Sequence, residues 1–225
     1  MNSLELLKAT SRAFYLSLRV LPSGSRQTMS LAYLLARCAD SLSDGAWLAP
    51  QERLPALQEF LGLMQGQRPN LEAWKTRVAC VDPQSGSEAA LLHHLPQALA
   101  ELQNLPAADQ LLIREIVATL AQGMIVDLER FPGCVLDEEE LRRHLWSAAG
   151  CVGGFWSSVL RLHEPRLRRV SLRLEELGTQ LGNGLQLTNV LRDVSGDLAE
   201  GRCYLPLNQL TRLGLDPEAL RDSAN

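Results

Sequence analysis

Two stretches of this 225-residue chain carry carboxylates at a spacing that could do chemistry. In YLLARCADSLSD (33–44), Asp40 and Asp44 are four residues apart, preceded by Tyr33 and Arg37. Leu34, Leu35, Ala36, Cys38, Ala39 and Leu42 give the stretch an apolar body. With about 100° per residue and Tyr33 at 0°, a helix puts Arg37 at about +40°, Asp40 at about −20° and Asp44 at about +20°. Four polar groups share one narrow stripe. In GNGLQLTNVLRDVSGD (182–197), with Gln186 at 0°, Asn189 falls at about −60°, Asp193 at about −20° and Asp197 at about +20°. Leu185, Leu187, Val190, Leu191, Val194 and Leu198 fill the rest of that helix.

One Asp-x-x-x-Asp alone is most simply the solvent-facing stripe of an amphipathic helix. Like charges at i,i+4 cost roughly 0.2–0.5 kcal/mol, however, and these stripes contain no lysine to offset them. Two such carboxylates gain from sharing a divalent cation. Mg²⁺ favours one or two carboxylates with waters and phosphate oxygens completing its shell. Two facing helices of this kind would hold metal ions around a diphosphate and neutralise charge as it leaves.

The elements that must position these groups read as helices almost throughout, near 2–20, 25–44, 51–65, 87–103, 107–130, 137–163 and 166–199. QGQRPN (65–70), DPQSGS (82–87) and FPGC (131–134) are breaks, and Asp137 with Glu140 is a capping-box start. Pro96 interrupts the 87–103 pattern. Hydrophobic residues make up 46% and charged residues 21%, an ordinary globular composition with enough chain for one core. One all-α domain over residues 1–225 is expected. The net charge of −4 gives no general attraction to nucleic acid. The odd number of cysteines, five, without a C-x-x-C, suggests neither a disulfide framework nor a zinc site, and a reducing cytoplasm is the expected compartment. Glu5 and Lys8 fall where a signal peptide would be apolar, and no run reaches the ~20 apolar residues of a membrane span.

The motifs resemble those of the squalene/phytoene synthases, head-to-head prenyl transferases of the class I isoprenoid synthase fold. SRAFYLS (11–17), YLLARCADSLSD (33–44), GMIVDL (123–128), AAGCVGGFW (148–156) and LGNGLQLTNVLRDVSGDLAEGRCYLP (181–206) match family motifs in family order. The resemblance implies a single-domain all-α helical bundle. It implies that Asp40, Asp44, Asp193 and Asp197 bind Mg²⁺, or Mn²⁺ in its place. Ser11, Arg12, Tyr33 and Arg37 would hold a diphosphate, with Tyr33 and Arg37 in catalytic roles. Gln186 and Asn189 would line a second diphosphate site, and Arg202 and Tyr204 would close over it. Asp127 belongs to the cavity-lining segment. Phe14, Met124 and Phe155 would line an apolar tunnel for prenyl tails.

Two departures from the family pattern stand out. His144 and Trp146 occupy positions where the family has tyrosines, six and four residues before Gly150. His144 can exchange a proton near neutral pH and is the catalytic candidate there, while an indole can steady a cation. The sequence also runs only 28 residues past Asp197, to Asn225. A shortened member, a cut sequence, or a partner or second copy that completes the cavity would each fit. The expected reaction is Mg²⁺-dependent 1′-1 condensation of two farnesyl or geranylgeranyl diphosphates. The product would be presqualene diphosphate or of squalene or phytoene type, with peripheral membrane association for its release. Reduction to squalene would need NADPH, whose use the sequence leaves open. A class I terpene cyclase and a non-catalytic scaffold remain as alternatives. His93, His94 and His163 are read as surface or packing residues. Gly178 is read as a close-packing glycine, and Gly182 as close-packing or as room for substrate.

Overall fold

A computed structural model describes residues 3–11, 14–45, 47–67, 70–79, 81–83, 85–133, 135–216 and 220. Among these the structure is helical, and the one β-bridge joins Val135 to Cys203. The helices are α1 (Ser3–Ser11), α2 (Phe14–Arg19), α3 (Ser23–Asp44), α4 (Pro50–Met64), α5 (Leu71–Val78), α6 (Ser87–Gln103), α7 (Ala107–Arg130), α8 (Glu138–Leu145), α9 (Cys151–His163), α10 (Ser171–Arg192), α11 (Val194–Ala199) and α12 (Leu207–Arg212). A π-helical turn, Trp146–Gly150, joins α8 to α9, and a 3₁₀ segment, Pro165–Val170, leads towards α10. No helix among the described residues is long and apolar enough to cross a membrane.

Most of these elements follow from the sequence. Asp137 accepts from the Glu140 backbone N–H at 2.7 Å, and the Glu140 side chain accepts from the Asp137 N–H at 2.9 Å, closing the expected capping box. α6 runs through Pro96 despite the lost backbone donor. Two short helices depart from the expectation: α5, capped by Asn70 on the Ala73 N–H, and α12. The expected helix 166–199 is divided into the 3₁₀ segment, α10 and α11.

Contacts divide the chain into two compact units. Unit 1 comprises residues 1–125 and 158–171. In it α3 packs against α1, α2, α4 and α6, and burial of Leu34, Leu35, Leu42, Leu57, Phe60 and Leu91 forms its core. Unit 2 comprises residues 126–157 and 172–225. Leu136, Leu145, Val190 and Tyr204 form one cluster there, and Leu198, Cys203 and Leu210 another.

Gly153 and Gly178 bring α9 and α10 together: a Cβ on either would collide with the other's carbonyl oxygen. A Cβ on Gly182 would strike the Ala149 carbonyl, so Gly182 serves backbone packing rather than leaving room for substrate. This contact turns the glycine side of α10 inward and corrects the expectation of an apolar body around the second stripe. Leu181, Leu185, Leu187 and Leu191 are exposed, while Gln186 and Asn189 are half-buried.

Candidate functional site

In unit 1 the first stripe lies as its spacing predicts. Leu34, Leu35, Cys38, Ala39 and Leu42 are buried, Tyr33, Arg37 and Asp40 are half-buried, and Asp44 is exposed. Arg37 Nη1 meets Asp40 Oδ2 at 2.9 Å and its Nη2 meets Glu88 Oε1, from the first turn of α6, at 2.8 Å. Glu88 escaped the sequence reading, since it is 51 residues from Arg37 and matches no quoted motif. Burial works against the Arg37 charge, but Asp40, Tyr33 and Glu88 outweigh it and hold the guanidinium above its ordinary pKa. Burial raises the Asp40 carboxyl above the ordinary carboxylate range; Arg37 opposes this, and Asp44 and Glu88 add to it.

Tyr33 stacks on Phe14, with ring centroids 5.2 Å apart, and its hydroxyl donates to the Thr10 carbonyl at 3.0 Å. Ser11 is buried and donates to the Leu7 carbonyl, which occupies its hydroxyl proton within α1. Met124 is half-buried near the end of α7. Arg12 lies outside the described residues.

Unit 2 holds the second set. Backbone N–H bonds from Asp193 to Asn189 (2.9 Å) and from Asp197 to Asp193 (3.0 Å) carry the helical register across the break between α10 and α11. Asn189, Asp193 and Asp197 therefore keep their i+4 stacking. Asp193 is exposed and paired with the adjacent Arg192 at 2.7 and 2.5 Å, which lowers its pKa. Asp197 is half-buried. Burial raises its pKa, Asp193 and Glu200 add to this, and Arg202 and His144 oppose it. The Arg202 N–H donates to the Asp197 carbonyl at 2.7 Å, tying the loop after α11 to the motif.

His144 gathers the remaining candidates. Its Nδ1 lies 3.4 Å from Asp127 Oδ2, and its Nε2 lies 3.4 Å from Gln186 Nε2. Its ring lies on that of Tyr204 with centroids 4.2 Å apart. The Tyr204 hydroxyl donates to the same Asp127 Oδ2 at 3.1 Å, and burial followed by the Asp127 charge raises its pKa. Asn189 Nδ2 donates to Gln186 Oε1 at 3.3 Å. Phe155 is buried on α9, and Trp146, exposed in the π-helical turn, stands outside this network.

The donor sets suit divalent cations of the Mg²⁺ kind. In each motif one carboxylate is raised by its like-charged neighbour, Asp40 by Asp44 and Asp197 by Asp193, a like-charge cost that a bound cation would relieve. Among the described residues no cluster of three or more His, Cys, Asp or Glu is assembled as a metal site. Two carboxylates per motif leave the rest of the shell to water and phosphate oxygens, as Mg²⁺ prefers. The described cysteines offer no alternative chemistry. Cys38, Cys151 and Cys203 are free thiols, with burial pushing Cys38 well up and Cys151 up to about 11.

Residues 7–225 match the family model described as squalene/phytoene synthase. The chain belongs to the squalene/phytoene synthase family. A bifunctional lycopene cyclase/phytoene synthase of Colletotrichum graminicola is 32% identical over 230 residues, covering 97% of this chain and 36% of the relative. A presqualene diphosphate synthase of Zymomonas mobilis is 30% identical over 207 residues, covering 92% of this chain and 60% of the relative. A squalene synthase of Eremothecium gossypii is 28% identical over 206 residues, covering 90% of this chain and 45% of the relative. The chain thus spans less than two thirds of the length of these curated relatives. A solved squalene synthase, TcSQS in complex with the ligand BPH1237, superposes over 99% of this chain and 63% of its own at a TM-score of 0.71 and 21% identity, a likeness of fold.

Proposed function

We propose that the chain carries out Mg²⁺-dependent head-to-head condensation of two prenyl diphosphates, joining them 1′-1 to presqualene diphosphate or to a squalene- or phytoene-type product. Family membership supports the reaction class. The observation that carries it to this chain is that both Asp-x-x-x-Asp pairs keep their helical register, with Asp44 raising the Asp40 carboxyl and Asp193 raising that of Asp197. In this reading residues 1–225 act as one catalytic domain.

Bound Mg²⁺, or Mn²⁺ in its place, would supply charge neutralisation for the departing diphosphate. Asp40 and Asp44 would hold it at one motif and Asp193 and Asp197 at the other. Arg37, already desolvated and charged, would contact a diphosphate with Ser11, Arg12 and Tyr33. Arg202 and Tyr204 would cover the second diphosphate, with Gln186 and Asn189 donating from α10. Phe14, Met124 and Phe155 would shield the prenyl chains from water. Release of an apolar product fits peripheral association with a membrane surface. The condensation itself requires no NADPH; only a squalene product would.

The test is incubation of purified protein with farnesyl or geranylgeranyl diphosphate, with and without Mg²⁺, followed by lipid extraction. A C30 or C40 product that needs Mg²⁺ is expected. A C15 or C20 hydrocarbon would show a terpene cyclase instead. Absence of both turnover and Mg²⁺-dependent diphosphate binding would show a scaffold.

A further inference from the structure

Arg37 is held from two helices. Its Nη1 donates to Asp40 Oδ2 at 2.9 Å, three residues on along α3, and its Nη2 donates to Glu88 Oε1 at 2.8 Å, in the first turn of α6. The two carboxylates differ in one respect. Asp40 belongs to the first aspartate motif, where it is read as a cation ligand. Glu88 belongs to no motif, so its hold on Nη2 does not compete with cation binding.

Packing beneath the pair fixes where Glu88 stands. α3 lies along α6, Cys38 Sγ donates to the Leu91 carbonyl at 3.9 Å, and the Trp74 indole N–H donates to the Leu92 carbonyl at 3.0 Å. Leu91 and Leu92 are fully buried. Residues 37 and 38 of α3 therefore meet residues 88 and 91 of α6, which share one face of that helix. A glutamate also suits the positive end of a helix, which alone would account for an acid in this turn. It does not account for the bond to Arg37, nor for what the guanidinium has left over. A guanidinium carries five N–H donors, and the two carboxylate contacts leave the others open. The Arg37 Nε is buried and has no hydrogen-bond partner among the described residues. An unpaired buried donor costs free energy that an anionic oxygen would recover.

We propose that Glu88 is a positioning residue that holds the Arg37 guanidinium from α6, so that its unpaired Nε edge is in place for a diphosphate oxygen. The proposal rests on the reading of Arg37 as a diphosphate-binding residue. Without Glu88, Arg37 would keep only its partner on α3, and a long side chain would have to be ordered as the ligand binds. Ordering one such side chain in advance is worth about three- to tenfold in affinity.

Glu88 is exposed, so substitutions there leave the core of unit 1 intact. Glu88→Gln keeps an acceptor at the same reach, whereas Glu88→Ala removes it. Both remove the same charge, so repulsion of an anion and the effect on the helix end cancel between them. The first measurement needs no substrate. Side-chain ¹⁵N spectra of the full chain should show hindered rotation of the Arg37 guanidinium in the wild type and Glu88→Gln, and fast rotation in Glu88→Ala. Equal mobility in all three would overturn the proposal whatever reaction the protein performs. The second measurement is binding of inorganic diphosphate with Mg²⁺ by calorimetry. Glu88→Gln should bind about three- to tenfold more tightly than Glu88→Ala; equal affinities would contradict the proposal. Arg37 mobilised in Glu88→Ala, with no diphosphate bound by any of the three proteins, would overturn the functional reading and the ligand assigned to Arg37 with it.

Discussion

Asp40 combines burial, an arginine partner and a like-charged neighbour one turn on, and the first and last of these raise its pKa. Such an arrangement suits a carboxylate that waits for a cation more than one that stabilises the fold. Asp40→Asn and Asp193→Asn are each expected to lower turnover by ~10²-fold or more while leaving the far-ultraviolet circular dichroism unchanged. Near-normal rates in either variant would remove the case for metal binding at that motif. At this scale the stripes were legible because i,i+4 spacing is local. The partners that complete them were not. Glu88 reaches Arg37 from another helix, and Asp127 meets Tyr204 across 77 residues, so neither contact leaves a trace in local spacing. His144 was visible as a departure from the family pattern, but its orientation by Asp127 and Tyr204 appears only in the fold.

The contacts between helices carry two stability predictions. Gly182 packs against the Ala149 backbone, so Gly182→Ala should cost about 1–3 kcal/mol through overpacking. Gly184 stands on the same helix with open space around its Cβ position, and Gly184→Ala should stabilise by about 0.5–1 kcal/mol. Chemical denaturation of the two variants checks the contrast; similar effects would contradict the packing described for α10. The second prediction concerns the contact of α1 with α6, where Ser3 Oγ lies 2.8 Å from His94 Nε2. Burial lowers the His94 pKa against the opposing pull of Glu101. The folded protein therefore binds fewer protons there than the unfolded chain. The resulting stability is complete above about pH 6.5, the ordinary histidine value, and is lost as pH falls through the lowered folded pKa. The slope of melting temperature against pH between about 7 and 5 should flatten in His94→Gln; an unchanged slope would exclude His94 as its source.

Helix existence was legible from periodicity, and the capping box marked where α8 begins. Which face of α10 turns inward was not, because leucines surround its polar stripe. Backbone approach at Gly153, Gly178 and Gly182 decides it, and of these the sequence marks only Gly178 as purely a packing residue. The buried pairing of Asp109 with His163 and Thr28, at 2.7 and 2.5 Å, was likewise hidden, since its members come from α7, α9 and α3.

For the whole molecule, scarce strand patterning and an ordinary apolar fraction pointed to an all-α protein, and the family match with the fold likeness bears that out. Two compact units within the described chain were not legible, because neither a linker nor a composition shift marks the positions 125, 157 and 171 where they divide. Head-to-head condensation places two substrate molecules in each product, and isotope mixing tests this most directly. The protein would be given equal amounts of unlabelled and fully deuterated prenyl diphosphate with Mg²⁺, and the product examined by mass spectrometry. Condensation predicts three mass classes, light–light, light–heavy and heavy–heavy, with the mixed class most abundant. A product confined to the light and heavy classes, each with the carbon count of one substrate, would contradict the account.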